Sequence, residues 1–352
     1  METKKRVTGF TFINFVKDFF FLFLGVSKLL TKSIFFVVTC SWRFVVNQQY
    51  SRALPFIGNL TKEIVLCILF VFGPYTLLGV VFSAAGIVAI FCFVAKTLNR
   101  DQGIALDIGL HVAATFIRIL FKIWHGQEFQ GLSNIPTSGS ALIVWYHGPM
   151  PVDYLALIAE VQYQYGRNIK SIIDRCLKML PWSWFFINKL GCTCDGPEFC
   201  VDQLKAGQLM GVAPGGSREA LFGEEFSLQW GKRTGFARIA IEANVPIIPL
   251  YTENISVAYA TMKSFRPVWR YIFEATRLPI IPIWGGFPVK LTTHIGVPIY
   301  PVPNETPETL REKTKAALQE MMAVHQSKNM TVAKGIYRRF VSKPQIEKAF
   351  VV

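Results

Sequence analysis

The chain has 352 residues, of which 51% are hydrophobic and 17% charged, with 30 Phe and a formal net charge of +14. So few charges fall below the roughly 25% of a soluble domain and point towards lipid. The basic excess suits an anionic membrane surface. It does not suit nucleic acid, because the basic residues are interleaved with Phe, Leu and Val instead of forming a polar patch.

The length fits one domain of ordinary size plus a substantial further segment, so two regions are expected, followed by a tail: 1–125 helical and membrane-associated, 126–326 catalytic, and 327–352 basic. No cleavable leader is predicted, since the apolar stretch after Arg6 is broken by Lys17 and Asp18. Three of the seven Cys (Cys40, Cys67, Cys92) sit in apolar stretches as small hydrophobes, so no disulfide framework is expected. Residues 10–30 carry Lys17, Asp18 and Lys28 among aromatics and resemble a helix lying in the headgroup plane.

From Ile64 to Ala95 no formal charge occurs over 32 residues, longer than the roughly 20 an untilted span needs. Gly73-Pro74 interrupts the run, which predicts either one kinked span or a re-entrant hairpin. Lys62 on one side and Lys96 and Arg100 on the other leave the orientation open. Residues 104–124 mix apolar side chains with Asp107, Arg118 and Lys122, and fit either an interfacial helix or the first helix of the domain that follows.

After Gly126 short apolar runs alternate with amphipathic ones. Strands are predicted over 141–146, 169–173, 209–213 and 245–251, and helices over 154–165, 197–206 and 235–243. A last helix starts at Thr306-Pro307 and runs to His325. This alternation implies an α/β fold, a mostly parallel sheet flanked by helices. Gly285-Gly286 makes a turn before a strand at Val289. The tail with Lys334, Arg338 and Arg339 either touches the membrane or is a solvated end.

The first strand runs into His147-Gly-Pro-Met-Pro-Val-Asp153. Sheet enzymes place ligands beyond the carboxyl ends of their strands, and Gly148, Pro149 and Pro151 force a turn there before a helix starts at Asp153. One reading makes Asp153 an N-cap and His147 an ordinary loop residue. The other makes neutral His147 a base that removes the proton of a hydroxyl, with Asp153 orienting the ring and stabilising the imidazolium. Further on, Pro214-Gly215-Gly216-Ser217-Arg218-Glu219 follows another predicted strand. Its glycines could turn backbone N–H groups towards an anion, and Arg218 adds a fork of donors, although a plain turn would look the same.

Taken together, these pieces resemble the glycerolipid acyltransferase superfamily, the lysophosphatidate acyltransferase or PlsC group, and most of all its transmembrane protein 68 branch. The likeness lies in Tyr146-His-Gly to Pro151-Val-Asp153, Pro214-Gly-Gly-Ser-Arg-Glu-Ala220, Trp230-Gly-Lys-Arg-x-Gly-Phe-Ala237, Val245-Pro-Ile-Ile-Pro-Leu250 and Gly285-Gly-Phe-Pro-Val-Lys-Leu291. The resemblance implies His147 as general base and Asp153 as its partner. It implies contacts from Gly215, Gly216, Ser217, Arg218 and Glu219 to acyl-CoA or the acceptor, acyl-CoA as co-substrate with no further cofactor and no metal, and an endoplasmic reticulum membrane with the catalytic domain facing the cytosol.

Two departures bear on the acceptor. Five residues, not the family's usual four, separate His147 from Asp153. Pro-Glu-Gly-Thr-Arg becomes Pro214-Gly-Gly-Ser-Arg218, and no arginine occurs over 191–196, where the family usually has one. A phosphorylated acceptor wants charge-assisted contacts, so the loss favours a neutral acceptor, monoacylglycerol or diacylglycerol, over a lysophospholipid. A non-catalytic lipid binder is a third expectation, disfavoured by the presence of both His147 and Asp153. Cys192, Cys194 and Cys200 fit no common zinc spacing, and His111, His125, His294 and His325 are expected to be structural. Lys232 and Arg233 face either the coenzyme or solvent.

Overall fold

The computed structural model describes residues 79–341, apart from 81–82, 174–190, 194, 224–226, 262–265, 278–280, 282 and 328. The expectations for 10–30 and for 64–78 lie outside these residues.

Two helices open the described chain, α1 (Ser83–Thr97) and α2 (Gln102–His125). Asp101 starts α2 by accepting from the N–H groups of Gly103 at 2.7 Å and Ile104 at 3.2 Å, and Gly126 ends it in a left-handed conformation at φ 56°. The helices pack closely: a Cβ at Gly109 of α2 would lie 3.1 Å from the Cα of Val88 on α1. Among the described residues one helix, Gly103–His125, is long and apolar enough to cross a membrane, while Ser83–Thr97 is apolar but shorter. The described end of the charge-free run lies in the shorter helix, and the longer one is the segment expected to lie at the interface or to open the domain.

The faces of α2 differ. Ala113, Ala114, Ile117 and Phe121 are buried. Arg118 joins Glu160 at 2.8 Å and lies over the Tyr163 ring at 4.4 Å, and both partners belong to α3 (Val152–Tyr165). Ile104, Ile108, Val112, Phe116, Ile119 and Ile123 stay exposed at helical spacing, one apolar stripe along the outside. The helix is thus docked on the domain and leaves an apolar face outward.

Beyond it come β1 (Glu128–Gln130), β2 (Ala141–Trp145), α3, β3 (Ile169–Ile172), β4 (Cys192–Thr193), α4 (Pro197–Lys205), β5 (Leu209–Val212) and α5 (Gly216–Phe222). There follow α6 (Gly235–Ala243), β6 (Ile247–Glu253), α7 (Ile255–Ala258), β7 (Tyr259–Thr261), α8 (Arg266–Thr276), β8 (Ile283–Gly285), β9 (Thr292–Ile295), α9 (Pro307–His325) and α10 (Val332–Tyr337). Seven strands form one sheet in the order β1-β9-β6-β2-β5-β3-β4, all pairs parallel except β6 with β9, and β7 and β8 form a separate antiparallel pair. The α/β expectation holds.

Every residue of β2 is buried, because helices cover both faces of a central parallel strand. Side chains alternate along it. Leu142 and Val144 join the cluster containing Val201 and Leu204 of α4 and Ala237 and Ala240 of α6, while Ile143 and Trp145 join the one containing Leu157 and Val161 of α3. Burying each such Leu, Ile or Val side chain contributes about 1.5–3 kcal/mol.

The last strand departs from expectation. It begins at Thr292, not Val289, because Gly285 and Gly286 at φ 125° and 84° are followed by extended chain that packs against α10, with Lys290 N–H donating to Gly335 O at 3.1 Å. The chain after His325 is likewise folded onto the domain as far as residue 341: Arg338 reaches Ser327 Oγ at 2.7 Å, and Arg339 reaches the Ile123 carbonyl at the end of α2.

Candidate active site

Val144 of β2 pairs in parallel with Val212 of β5. Three residues further along each chain come His147 and Gly215, so the two expected loops emerge side by side at one edge of the sheet. On the other side, Trp145 pairs with Leu250 of β6. The chain leaves β2 towards β3 and leaves β6 in the opposite direction towards β9, so the carboxyl ends of β2 and β6 flank the point where the strand order switches, where open α/β sheets bind ligands.

The His147 imidazole is held from several directions. Its ring stacks on Trp145 at 4.7 Å, and Trp145 stacks on Tyr154 of α3 at 4.5 Å with the planes 4° apart. Tyr154 is anchored in turn by its hydroxyl, 3.0 Å from Ser171 Oγ on β3. That anchor requires Gly211 on β5, where a Cβ would lie 1.9 Å from the Tyr154 oxygen. Nδ1 of His147 lies 2.7 Å from the Gly148 carbonyl, the geometry of an Nδ1–H donor. Neither the aromatic stack nor Gly211 was singled out from the sequence, since they join residues on three different elements.

Asp153 is the second residue of α3, which starts at Val152, and Pro151 occupies the cap position with no side-chain bond. The capping role expected for Asp153 is therefore not what the helix uses. Its carboxyl is 1% exposed, and burial raises it from 3.8 to about 6; the Thr252 hydroxyl on β6 and the N–H groups of Tyr154 and Asp153 pull the other way. Oδ1 is buried without a hydrogen-bond partner among the described residues, a cost of about 1–3 kcal/mol that sites of chemistry tolerate more often than cores do. Thr252 Oγ1 continues at 2.9 Å to Thr293 Oγ1, which accepts from Gln127 Nε2 at 2.8 Å. A polar column thus runs from Asp153 across β6 and β9 to the end of α2.

The turn after β5 opens α5. Gly216 sits at φ 55°, where a side chain would be strained, and donates its N–H to the Ala213 carbonyl at 3.0 Å. Arg233 braces the turn through Nη1, which donates to the carbonyls of Pro214 at 2.7 Å and Gly215 at 3.0 Å, so this residue serves the loop itself. Lys232 is exposed. Arg218 points outward to Glu274 of α8 at 3.5 Å, a long and half-exposed ion pair worth at most about 1 kcal/mol. Glu219 differs from its neighbours: it is 1% exposed and turned inward. Oε1 accepts the His147 backbone N–H at 3.0 Å and Oε2 the Gln229 N–H at 2.8 Å. Burial lifts its carboxyl from 4.5 to about 7, opposed by those two N–H groups and by the Arg233 charge.

A second His–carboxylate group lies at the antiparallel end of the sheet. Ligand-type atoms of Glu253, His294 and His325 lie within 4.8 Å of one another. His294 Nε2 is 2.8 Å from Glu253 Oε1, the Arg338 guanidinium is 3.9 Å from Oε2, and the two imidazoles stack at 3.6 Å with 15° between planes. The Glu253 carboxylate and the two imidazoles thus already form a hydrogen-bonded and stacked network among themselves.

A family model described as Acyltransferase matches residues 127–253. A chicken (Gallus gallus) protein named DGAT1/2-independent enzyme synthesizing storage lipids is 43% identical over 223 residues, covering 63% of this chain and 67% of that protein. Its bovine (Bos taurus) namesake is 39% identical over 228 residues, covering 64% and 68%. The crystal structure of the 1-acyl-sn-glycerophosphate (LPA) acyltransferase PlsC from Thermotoga maritima aligns with a TM-score of 0.51 over 75% of this chain and 97% of that one, and its 18% identity speaks for the fold alone.

Proposed function

The chain belongs to the acyltransferase family, in the branch of the DGAT1/2-independent enzymes synthesizing storage lipids, and from that premise we propose that it moves a fatty acyl group from acyl-CoA to the hydroxyl of monoacylglycerol or diacylglycerol. The observation that carries this reading is the placement of His147 at the carboxyl end of β2, level with the Pro214–Arg218 turn of the adjacent parallel strand.

In the mechanism, the His147 ring donates Nδ1–H to the Gly148 carbonyl, which supports Nε2 as the nitrogen for the acid–base work. Nε2 takes the proton of the acceptor hydroxyl as its oxygen attacks the thioester carbonyl carbon. Collapse of the tetrahedral intermediate breaks the carbon–sulfur bond, and the departing thiolate takes the proton from the imidazolium. No bond to the enzyme forms. Among the described residues the ring-orienting contact expected of Asp153 is made instead by the Gly148 carbonyl. The part proposed for Asp153 is therefore electrostatic: ionised above about pH 6, its buried charge favours the imidazolium. Among the described residues Arg218 is held by its long ion pair to Glu274, from which it can turn to the developing oxyanion or to the coenzyme phosphates.

A neutral acceptor is supported by the state of the cations beside the turn: Arg233 is committed to two backbone carbonyls, which leaves Arg218 as the arginine of this turn to meet an anion. The same argument names the rival reading, a lysophospholipid acceptor whose phosphate would draw Arg218 from Glu274. The exposed stripe of α2 supports a catalytic domain seated on a membrane, which the family resemblance makes the cytosolic face of the endoplasmic reticulum.

The test is an assay of microsomes carrying the chain, with labelled acyl-CoA and monoacylglycerol, diacylglycerol and lysophosphatidate in competition. Product from the neutral acceptors is expected; a clear preference for the phosphorylated one would replace the reading with its rival. Bound lipid without any consumption of acyl-CoA would sink both.

A further inference from the structure

We propose that Glu219 is a positioning residue for His147, a buried clamp that fixes the backbone from which the imidazole projects and ties it to the turn carrying Arg218. The inference rests on the reading of His147 as the base, and it goes beyond that reading by giving Glu219 a task other than contact with substrate.

The geometry is that of a brace with three attachments. Oε1 takes the His147 N–H just beyond β2, from a residue 72 positions away in the chain, and Oε2 takes the Gln229 N–H from the segment before α6. The third attachment is steric. A Cβ at Gly215 would lie 2.3 Å from Glu219 Cδ, so the carboxylate fills the hollow under the turn and only glycine leaves room for it. Arg233 closes the same turn from the other side through the Pro214 and Gly215 carbonyls, and it is the charged group whose field reaches Glu219. The turn is therefore pinned from above and below.

A buried carboxylate that accepts from two loops holds both to within a hydrogen-bond length. Here one of those loops carries the base, and the residue preceding Glu219 is Arg218, whose guanidinium points outward to Glu274. The base and the turn that carries Arg218 are thus referenced to one side chain. Displacement of a catalytic group by about 1 Å can cost about 10²-fold in rate, so a clamp of this kind acts on turnover more than on affinity. A residue that met acyl-CoA directly would need exposure, and Glu219 is 1% exposed.

The experiment uses the full chain in membranes with four variants: Glu219→Ala, Glu219→Gln, Gly215→Ala, and Gly215→Ala combined with Glu219→Ala. For Glu219→Ala, kcat is expected to fall about 10²-fold with the KM for acyl-CoA within about twofold, the mark of an interaction that matters only in the transition state. Glu219→Gln should recover part of the loss, because its carbonyl oxygen still accepts one N–H. Gly215→Ala should imitate Glu219→Ala by expelling an intact carboxylate, and the double variant should be no worse than Gly215→Ala alone, a non-additivity that identifies shared action.

A second readout does not need turnover: carbethoxylation of His147 by diethyl pyrocarbonate, followed by peptide mass spectrometry, should be several-fold faster in Glu219→Ala and in Gly215→Ala. If no acceptor is ever acylated, the proposed function falls while the labelling still tests the clamp. A raised KM with unchanged kcat would overturn the proposal by making Glu219 a substrate contact. Unchanged kcat and unchanged labelling in Gly215→Ala and Glu219→Gln would overturn it too.

Discussion

Two regions of this sheet hold a histidine and a buried carboxylate, and they behave oppositely. At the parallel edge, His147 projects from the end of β2 over a stack of Trp145 and Tyr154, and Asp153 keeps one oxygen without a partner among the described residues. At the antiparallel end, His294 is bonded to Glu253 at 2.8 Å, stacked on His325 and backed by Arg338. Similar side chains form the proposed catalytic edge in one place and a brace in the other. Residue type does not separate them; the strand end they stand on does.

The sharpest way to break the comparison is to remove each histidine in turn. His147→Ala is expected to lower acyl transfer by about 10²–10⁴-fold while leaving the thermal midpoint nearly unchanged. His294→Ala is expected to do the reverse: loss of the Glu253 partner costs about 1–3 kcal/mol of stability, with turnover per folded molecule retained. Activity loss in both, or in neither, would dissolve the distinction.

Gly211→Ala tests the support beneath the reactive edge. Its Cβ would lie 1.9 Å from the Tyr154 hydroxyl, so the ring must move and the stack under His147 with it. Overpacking of this kind costs about 1–3 kcal/mol, and a drop in turnover beyond the folded fraction lost is expected as well.

A smaller effect comes from pH. Asp153 and Glu219 hold their protons more tightly in the fold, at about 6 and about 7, than their ordinary values of 3.8 and 4.5. Their contribution to stability is therefore complete below about pH 4 and lost as pH rises through about 7. Asp153→Asn combined with Glu219→Gln should flatten the fall of the thermal midpoint between pH 4 and 8, measured at constant salt. The smallest expected effect is at the surface. Arg270→Ala removes one exposed i,i+4 partner of Glu274 and should change stability by less than about 0.5 kcal/mol.

The parallel half of the molecule was legible because its signals are local. Ala141–Trp145 and Leu209–Val212 are short apolar runs ended by Gly and Pro, and Thr306-Pro307 starts α9 with the Thr306 hydroxyl accepting the Thr309 N–H at 3.2 Å. Each of those depends on a few neighbouring residues. At the antiparallel end the sequence placed a strand but not its start, Val289 instead of Thr292, nor its antiparallel pairing. Strand β9 has only Thr292–Ile295, and it becomes a strand by pairing Thr293 with Thr252, more than forty residues earlier in the chain.

By itself the sequence determined the α/β alternation, the apolar character of the segments before residue 126, and the pairing of a Pro-braced His-to-Asp turn with a Pro-Gly-Gly-Ser-Arg turn. Period, punctuation and residue chemistry act over one or two turns of chain, so they can be taken from it directly. Only the tertiary structure decided that Glu219 faces inward to the His147 backbone, that Arg233 serves the turn, that Gly211 makes room for Tyr154, and that α2 docks one face on α3 while leaving the other outward. Each of these joins residues far apart along the chain, and packing brings them together only when the sheet has formed.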